Sequence, residues 1–227
     1  MYVEVICPEI FMEIKALIFD LDGTIADTKA SICEAVNMAM DNFNMPYVTA
    51  KQVGKAMGNG SLMLIKRLLP PENSGDEDFV YSVFEYYDNA YDNTCMNAHF
   101  YGGMKEIMLD LKNKGYKIAV LSNKQDRYVK KIIEHSFGVG TLDFVQGQTS
   151  LPIKPDPTVP LMIAEALGVS PEECAFIGDS EVDVVTAKNA KMTGVACSWG
   201  YRPKALLAEN DPDFLIDSPK ELLNIFK

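Results

Sequence analysis

Apolar and polar positions follow two different grammars along this chain. Ala16 to Phe19 is a continuous apolar run, and a run that does not alternate predicts a strand covered on both faces, as in a parallel sheet. From Asp27 the spacing becomes helical. Ile32, Ala35, Val36, Ala39, Met40 and Phe43 fall on one face of a helix over 27–43, which Asp27 or Thr28 would cap. Thr49 and Gln52 have capping-box spacing at the start of a second helix that stops at Gly58-Asn59-Gly60. A third covers Ser61 to Leu69, with Leu62, Ile65, Leu68 and Leu69 on one face, and ends at Pro70-Pro71. A long fourth helix runs from about Asp76 to Cys95 along the stripe Phe79, Val83, Tyr86, Tyr87 and Ala90.

From Gly102 helices and strands alternate, the mark of crossover units and a parallel sheet. Met104, Ile107, Met108 and Leu111 line a helix closed by Gly115. Strands are predicted at Lys117 to Leu121, Phe144-Val145, Cys174 to Ile177, Gly194 to Cys197 and Asp213 to Ile216. Helices are predicted at Asp126 to Ser136, Thr158 to Leu167 and about Val182 to Lys191, with capped turns at Ser170 to Glu173 and Ser218 to Glu221. The expected fold class is therefore α/β: a Rossmann-like parallel sheet core with an inserted all-helical domain. The core would comprise residues 1–26 and 97–227, and the insertion 27–96. Two chain crossings, near 25–27 and 95–99, would join them as a hinge.

Composition adds limits to this picture. A chain of 227 residues, 48% hydrophobic and 23% charged, is long enough for a full core and one smaller insertion. The net charge of −11 and sequence pI near 4.7 argue against nucleic acid or an anionic membrane as partner. Cys7, Cys33, Cys95, Cys174 and Cys197 are odd in number and scattered, with no Cys-x-x-Cys spacing. They read as reduced thiols of a cytoplasmic protein. No apolar run approaches the ~20 residues that span a bilayer. Met1 to Glu13 lacks the basic start and apolar stretch of a signal peptide, and reads as a strand, a ragged end, or sequence upstream of a start at Met12.

The chemistry collects at the predicted strand ends. Asp20 and Asp22 follow the first strand, Ser122 and Asn123 the second, and Asp179 with Asp183 a later one; Lys154 comes from a loop held by prolines. If these strands are neighbours, their carboxyl ends form one pocket. Carboxylates gathered there repel one another and call for a cation. Hard oxygen donors with no nearby His or Cys favour Mg²⁺. A lysine and a serine beside them could hold an anion that the metal also contacts, an arrangement suited to phosphoryl transfer.

The set Asp20-Leu21-Asp22-Gly23-Thr24, Ser122-Asn123, Lys154-Pro155 and Gly178-Asp179-Ser180-Glu181-Val182-Asp183 resembles the four ordered motifs of the haloacid dehalogenase superfamily of phosphohydrolases. The helical insertion after the first motif resembles that superfamily's C1 cap. Lys-Pro-Asp-Pro at 154–157 and Ser-Trp-Gly-Tyr-Arg at 198–202 are similar to its phosphoglycolate phosphatase-like branch. The resemblance implies that Asp20 is the nucleophile and Asp22 the general acid and then base. It implies a Mg²⁺ site formed by Asp20, the backbone carbonyl of Asp22, Asp179 and Asp183. Ser122, the Asn123 backbone and Lys154 would bind the phosphoryl oxygens, with Lys154 also offsetting charge during transfer.

Outside these motifs, Gly58, Asn59 and Gly60, leading into a helix N-terminus with Lys66 or Arg67 one to two turns on, are candidates to read the non-reacting end of the substrate. Lys124 is expected to lie outside the phosphate contacts, His99 and His135 to lie on the surface or at the hinge, and Trp199 and the Met-rich helices to be packing. The expected activity is a Mg²⁺-dependent phosphatase, monomeric or homodimeric, acting on a small phosphorylated metabolite, with phosphoglycolate-like substrates favoured. A sugar-phosphate mutase such as β-phosphoglucomutase and a pyrophosphatase are the alternative enzymes, and a non-catalytic binding protein that keeps the fold is the reading from another class.

Overall fold

The computed structural model describes residues 13–227, so the readings made for residues 1–12 lie outside the described residues. Six strands form one parallel sheet: β1 (Ala16–Phe19), β4 (Lys117–Gln125), β5 (Phe144–Gln148), β6 (Cys174–Gly178), β7 (Thr193–Cys197) and β8 (Phe214–Ile216), in the order β5-β4-β1-β6-β7-β8. Strand β1 is central and wholly buried. Its side chains alternate between two cores: Leu17 and Phe19 join one cluster, Ala16 and Ile18 the other. Burial of both sets explains why the strand reads as an uninterrupted apolar run.

Helices cover both faces. On one, α5 (Met104–Asn113) contributes Ile107, Met108 and Leu111, and α6 (Asp126–Phe137) contributes Val129, Ile132 and Ile133. On the other, α7 (Thr158–Leu167) and α8 (Glu181–Ala190) supply Val159, Ile163, Ala187 and Ala190. The helical block holds α1 (Lys29–Asn42), α2 (Ala50–Ala56), α3 (Ser61–Leu68) and α4 (Glu77–Thr94). Its apolar stripes, including Val36, Met40, Ile65, Val83 and Tyr87, are continuous with the first cluster. Where the chain enters and leaves this block, β2 (Ala26–Asp27) pairs antiparallel with β3 (His99–Phe100), so the two crossings form a short ribbon.

Four local expectations change. Thr28 occupies the N-cap position of α1 but makes no side-chain cap, because its hydroxyl donates to Asp22 instead. Strand β4 continues four residues beyond Leu121, through Ser122 to Gln125, with a register shift in that stretch. The ribbon strands were not predicted, since two-residue strands carry no periodic signal. Helix α9 (Lys204–Glu209) was missed for the same reason: six residues following Pro203 are too few to show a stripe. The short α10 (Leu222–Ile225) closes the chain after the Ser218 turn. Among the described residues no helix is long and apolar enough to cross a membrane.

Candidate active site

Strands β4, β1 and β6 are adjacent and parallel, with Phe19 in register with Val120 and Ile177. Their carboxyl ends therefore deliver side chains to one place. Asp20 follows β1 directly and its N–H donates to Ile177 O at 2.9 Å. Asp179 follows β6, and Asp183 lies in the first turn of α8, where it also completes the capping box with Ser180. Oxygen atoms of Asp20, Asp179 and Asp183 lie within 4.8 Å of one another, and all three residues are buried. The buried Lys154 ammonium sits 2.9 Å from Asp20 Oδ1 and 2.6 Å from Asp183 Oδ1.

That lysine does not neutralise the cluster. Burial pushes the Asp20 carboxyl up to about 7, Lys154 pulls against this, and the Asp183 and Asp22 charges add to the rise. Burial and the charges of Asp183 and Asp20 hold Asp179 well above the usual carboxylate range. Burial alone would lower Lys154, but Asp183 and Asp20 raise it overall, so it stays charged. An all-oxygen, buried donor set with unbalanced negative charge fits a hard divalent cation.

Gly23 shows how closely this cluster is packed. It has φ +91°, and a Cβ added there would lie 2.3 Å from Asp179 Oδ2. A Gly23→Ala change combines left-handed strain with displacement of Asp179. It is expected to lower Tm by about 3–10 °C in thermal denaturation, the equivalent of roughly 1–3 kcal/mol in a chain of this size.

Asp22 is kept apart from the cluster. Its side chain is absent from the set of close carboxylates. Thr28 Oγ1 donates to its Oδ1 at 2.5 Å, and Lys124 Nζ lies 3.0 Å from both of its oxygens. The Lys124 ammonium also sits 4.8 Å from the ring centre of Tyr91, on α4. Lys124 lines the cavity, because β4 runs past Asn123 and aims it at Asp22. Tyr201 joins the two regions, donating its N–H to Asp179 Oδ2 at 2.6 Å while its hydroxyl accepts from Thr28 N–H at 2.8 Å.

Ser122, Asn123 and Lys154 line the same cavity, which encloses about 620 Å³ including open solvent. The Asn123 side chain is fully engaged: Nδ2 donates to Gly58 O and Lys154 O at 2.9 and 3.0 Å, and Oδ1 accepts from Lys154 N–H at 2.9 Å. Gly58, Gly60 and Ser61 face the cavity, with Ile32, Met57, Leu64 and Tyr87 forming its apolar wall. Asn59 does not line it: its Oδ1 accepts from Arg67 at 2.7 Å on the exposed side, while Lys66 pairs with Glu77. The loop's glycines turn its backbone inward and leave this side chain outside.

His99 and His135 are exposed and away from the cavity, and Trp199 packs half-buried with its indole N–H on Thr24 O. Sequence reasoning missed Arg202 as a site residue. From the core it donates to Gly54 O and Met57 O at 2.9 and 2.7 Å, and to Glu181 at 3.1 Å. Its place in the Ser-Trp-Gly-Tyr-Arg segment was the one available signal, because backbone acceptors leave no trace in sequence.

A sequence profile described as haloacid dehalogenase-like hydrolase matches residues 17–197, a span that contains every carboxylate above. The chain belongs to the haloacid dehalogenase-like hydrolase family. Within it, the chain is 32% identical over 221 residues to a phosphoglycolate phosphatase of Haemophilus influenzae (strain 86-028NP), covering 94% of this chain and 98% of that protein. The crystal structure of a predicted phosphoglycolate phosphatase from Haemophilus somnus 129PT superposes with a TM-score of 0.85 at 28% identity, over 94% of this chain and 98% of that one. A β-phosphoglucomutase from Clostridium difficile shares the fold, with TM-score 0.74, 22% identity and coverage of 92% and 93%.

Proposed function

We propose that this protein is a Mg²⁺-dependent phosphatase of small phosphomonoesters, with phosphoglycolate the leading substrate, and that residues 27–96 act as its cap. The observation that carries this reading is the separation of two carboxylates only two residues apart. Asp20 shares the cation-binding cluster, whereas Asp22 lies outside it with partners of its own. One is suited to attack and the other to proton transfer. The similarity to phosphoglycolate phosphatases supports the choice of substrate.

Asp20, Asp179 and Asp183, with the Asp22 carbonyl, would hold the metal, whose charge would offset that of the attacking carboxylate and the phosphate. Asp20 attacks phosphorus through a carboxylate oxygen as the ester P–O bond breaks, giving an aspartyl-phosphate. Asp22 gives its proton to the departing alkoxide. It then takes a proton from the water that attacks the acyl phosphate, restoring Asp20 and releasing inorganic phosphate. Ser122, the Asn123 backbone and Lys154 bind the phosphoryl oxygens, and the buried Lys154 charge counters the charge that builds during transfer.

A panel of phosphorylated metabolites, read as phosphate release with Mg²⁺ and with chelator, tests this. Metal-dependent release from a phosphomonoester is expected. Isomerisation of a sugar phosphate without net release would indicate a mutase instead. Absence of any hydrolysis, together with no effect of Asp20→Asn on any measured property of ligand turnover, would favour a binding protein.

The cap loop supplies a further expectation. Gly60 has φ +82°, and an added Cβ would meet Gln148 Oε1 at 2.8 Å. Gly60→Val should raise KM for the preferred ester on the order of tenfold, from strain of about 1–3 kcal/mol, with a smaller effect on a generic ester such as p-nitrophenyl phosphate. Equal loss on both would remove this loop from substrate recognition. Asn59→Ala is expected to do neither, since its side chain faces Arg67.

A further inference from the structure

Basic side chains in the cavity differ in how fully they are committed. Lys154 is held by two carboxylates, at 2.9 and 2.6 Å. Arg202 is held by two backbone carbonyls and Glu181. Lys124 has one anionic partner, Asp22, and otherwise rests on the face of Tyr91. Its side chain is only 4% exposed. A buried ammonium with one exchangeable carboxylate partner carries a strong demand for a second anion whenever the first is engaged elsewhere.

Its position says which anion that would be. Asp22 must reach the ester oxygen to move a proton, so the group carried by that oxygen lies beside Asp22, on the cap side of the cavity. The wall there is apolar, and Lys124 stands at the seam, touching Asp22 from the core and Tyr91 from the cap. Asp22 keeps Thr28 as a partner at 2.5 Å if Lys124 turns to the substrate.

We propose that Lys124 is the specificity-determining residue of this site, selecting phosphomonoesters whose leaving group bears a carboxylate close to the ester oxygen. The inference rests on the phosphatase reading above. An acidic leaving group gains a charge-assisted contact with a pre-placed ammonium, while a neutral one leaves that ammonium on Asp22. The rigid ring of Tyr91 limits where the ammonium can go, which confines the selected carboxylate to a short reach.

The test compares kcat/KM for 2-phosphoglycolate and for 2-hydroxyethyl phosphate, an ester of similar size with a neutral end, in the presence of Mg²⁺. The native protein should prefer the carboxylate by about 10- to 100-fold, the range of a charged hydrogen bond. Lys124→Met should collapse that ratio to below about fivefold, whatever loss the two rates share. Lys124→Arg, which keeps the charge, should retain most of the preference and guards against a methionine variant that fails to fold. A native enzyme that hydrolyses both esters without preference overturns the inference and leaves the phosphatase reading intact. So does a preference that survives Lys124→Met, or one that Lys124→Arg loses as completely as Lys124→Met. Hydrolysis of no phosphomonoester at all overturns both.

Discussion

Asp20→Asn should reduce phosphate release to below about one part in 10⁴ of the native rate, because the amide cannot form the covalent intermediate and nothing else in the cavity is placed to replace it. Asp22→Asn should behave differently. It removes proton transfer but keeps the nucleophile, so turnover should fall on the order of 10²- to 10⁴-fold. Single-turnover experiments with labelled phosphate sharpen the contrast: the Asp22→Asn protein should still transfer label to the chain, and the Asp20→Asn protein should not. An unchanged rate for Asp20→Asn would overturn the mechanism. The two substitutions change the same atom types two positions apart, so different outcomes would follow from placement alone, one carboxylate in the cluster and the other beside Lys124.

Lys154→Met is expected to damage stability as well as activity. It leaves Asp20 and Asp183 buried without their shared counter-charge. Breaking a buried ion pair from one side costs about 3–5 kcal/mol, which corresponds to a Tm lower by roughly 6–20 °C for a chain of this size. The direction of the effect of Mg²⁺ is specific. A cation bound by the cluster supplies part of the missing charge, so Mg²⁺ should stabilise Lys154→Met more than it stabilises the native protein. Thermal denaturation of both proteins with and without Mg²⁺ checks this, and an equal shift would argue against a cation within this cluster. Turnover should remain low in either case, since the charge proposed to face the phosphoryl oxygens is gone.

Much of the core was legible because its physics is local. A strand covered on both faces must be apolar throughout, so Ala16 to Phe19 and Cys174 to Ile177 stand out without reference to their neighbours. Asp20 and Asp179 were legible because each directly follows such a run, and Asp22 and Asp183 because they lie two and four residues further on. The polar end of β4 was not, since Ser122 to Gln125 reads as a loop until β5 is placed beside it. The surroundings of Lys124 were not legible for a related reason. They depend on Tyr91, 33 positions earlier in the chain, arriving by the docking of α4, which periodicity describes as a helix without saying what its face meets. Asn59 failed in the opposite direction: its neighbours Gly58 and Gly60 do face the cavity, but adjacent residues at a tight turn point different ways. Thr28 has the right type and position for a helix cap, and a carboxylate six residues away takes its hydroxyl instead.

The contacts that Arg202 and Asn123 make across the junction end on main-chain oxygens of Gly54, Met57 and Gly58. A main-chain oxygen is the same whatever side chain its residue carries. Replacing the apolar wall residues Ile32 and Leu64 therefore leaves these attachments untouched, and so would transplanting a related helical block whose loop follows the same backbone path. Remodelling what the cavity admits is in this sense uncoupled from these main-chain attachments. Libraries aimed at new leaving groups keep these attachments as long as the course of the chain from 54 to 58 is preserved, together with Asp88 and Asp92 of α4, which bond to Gln125, Arg127, Tyr128 and Lys131 of the core.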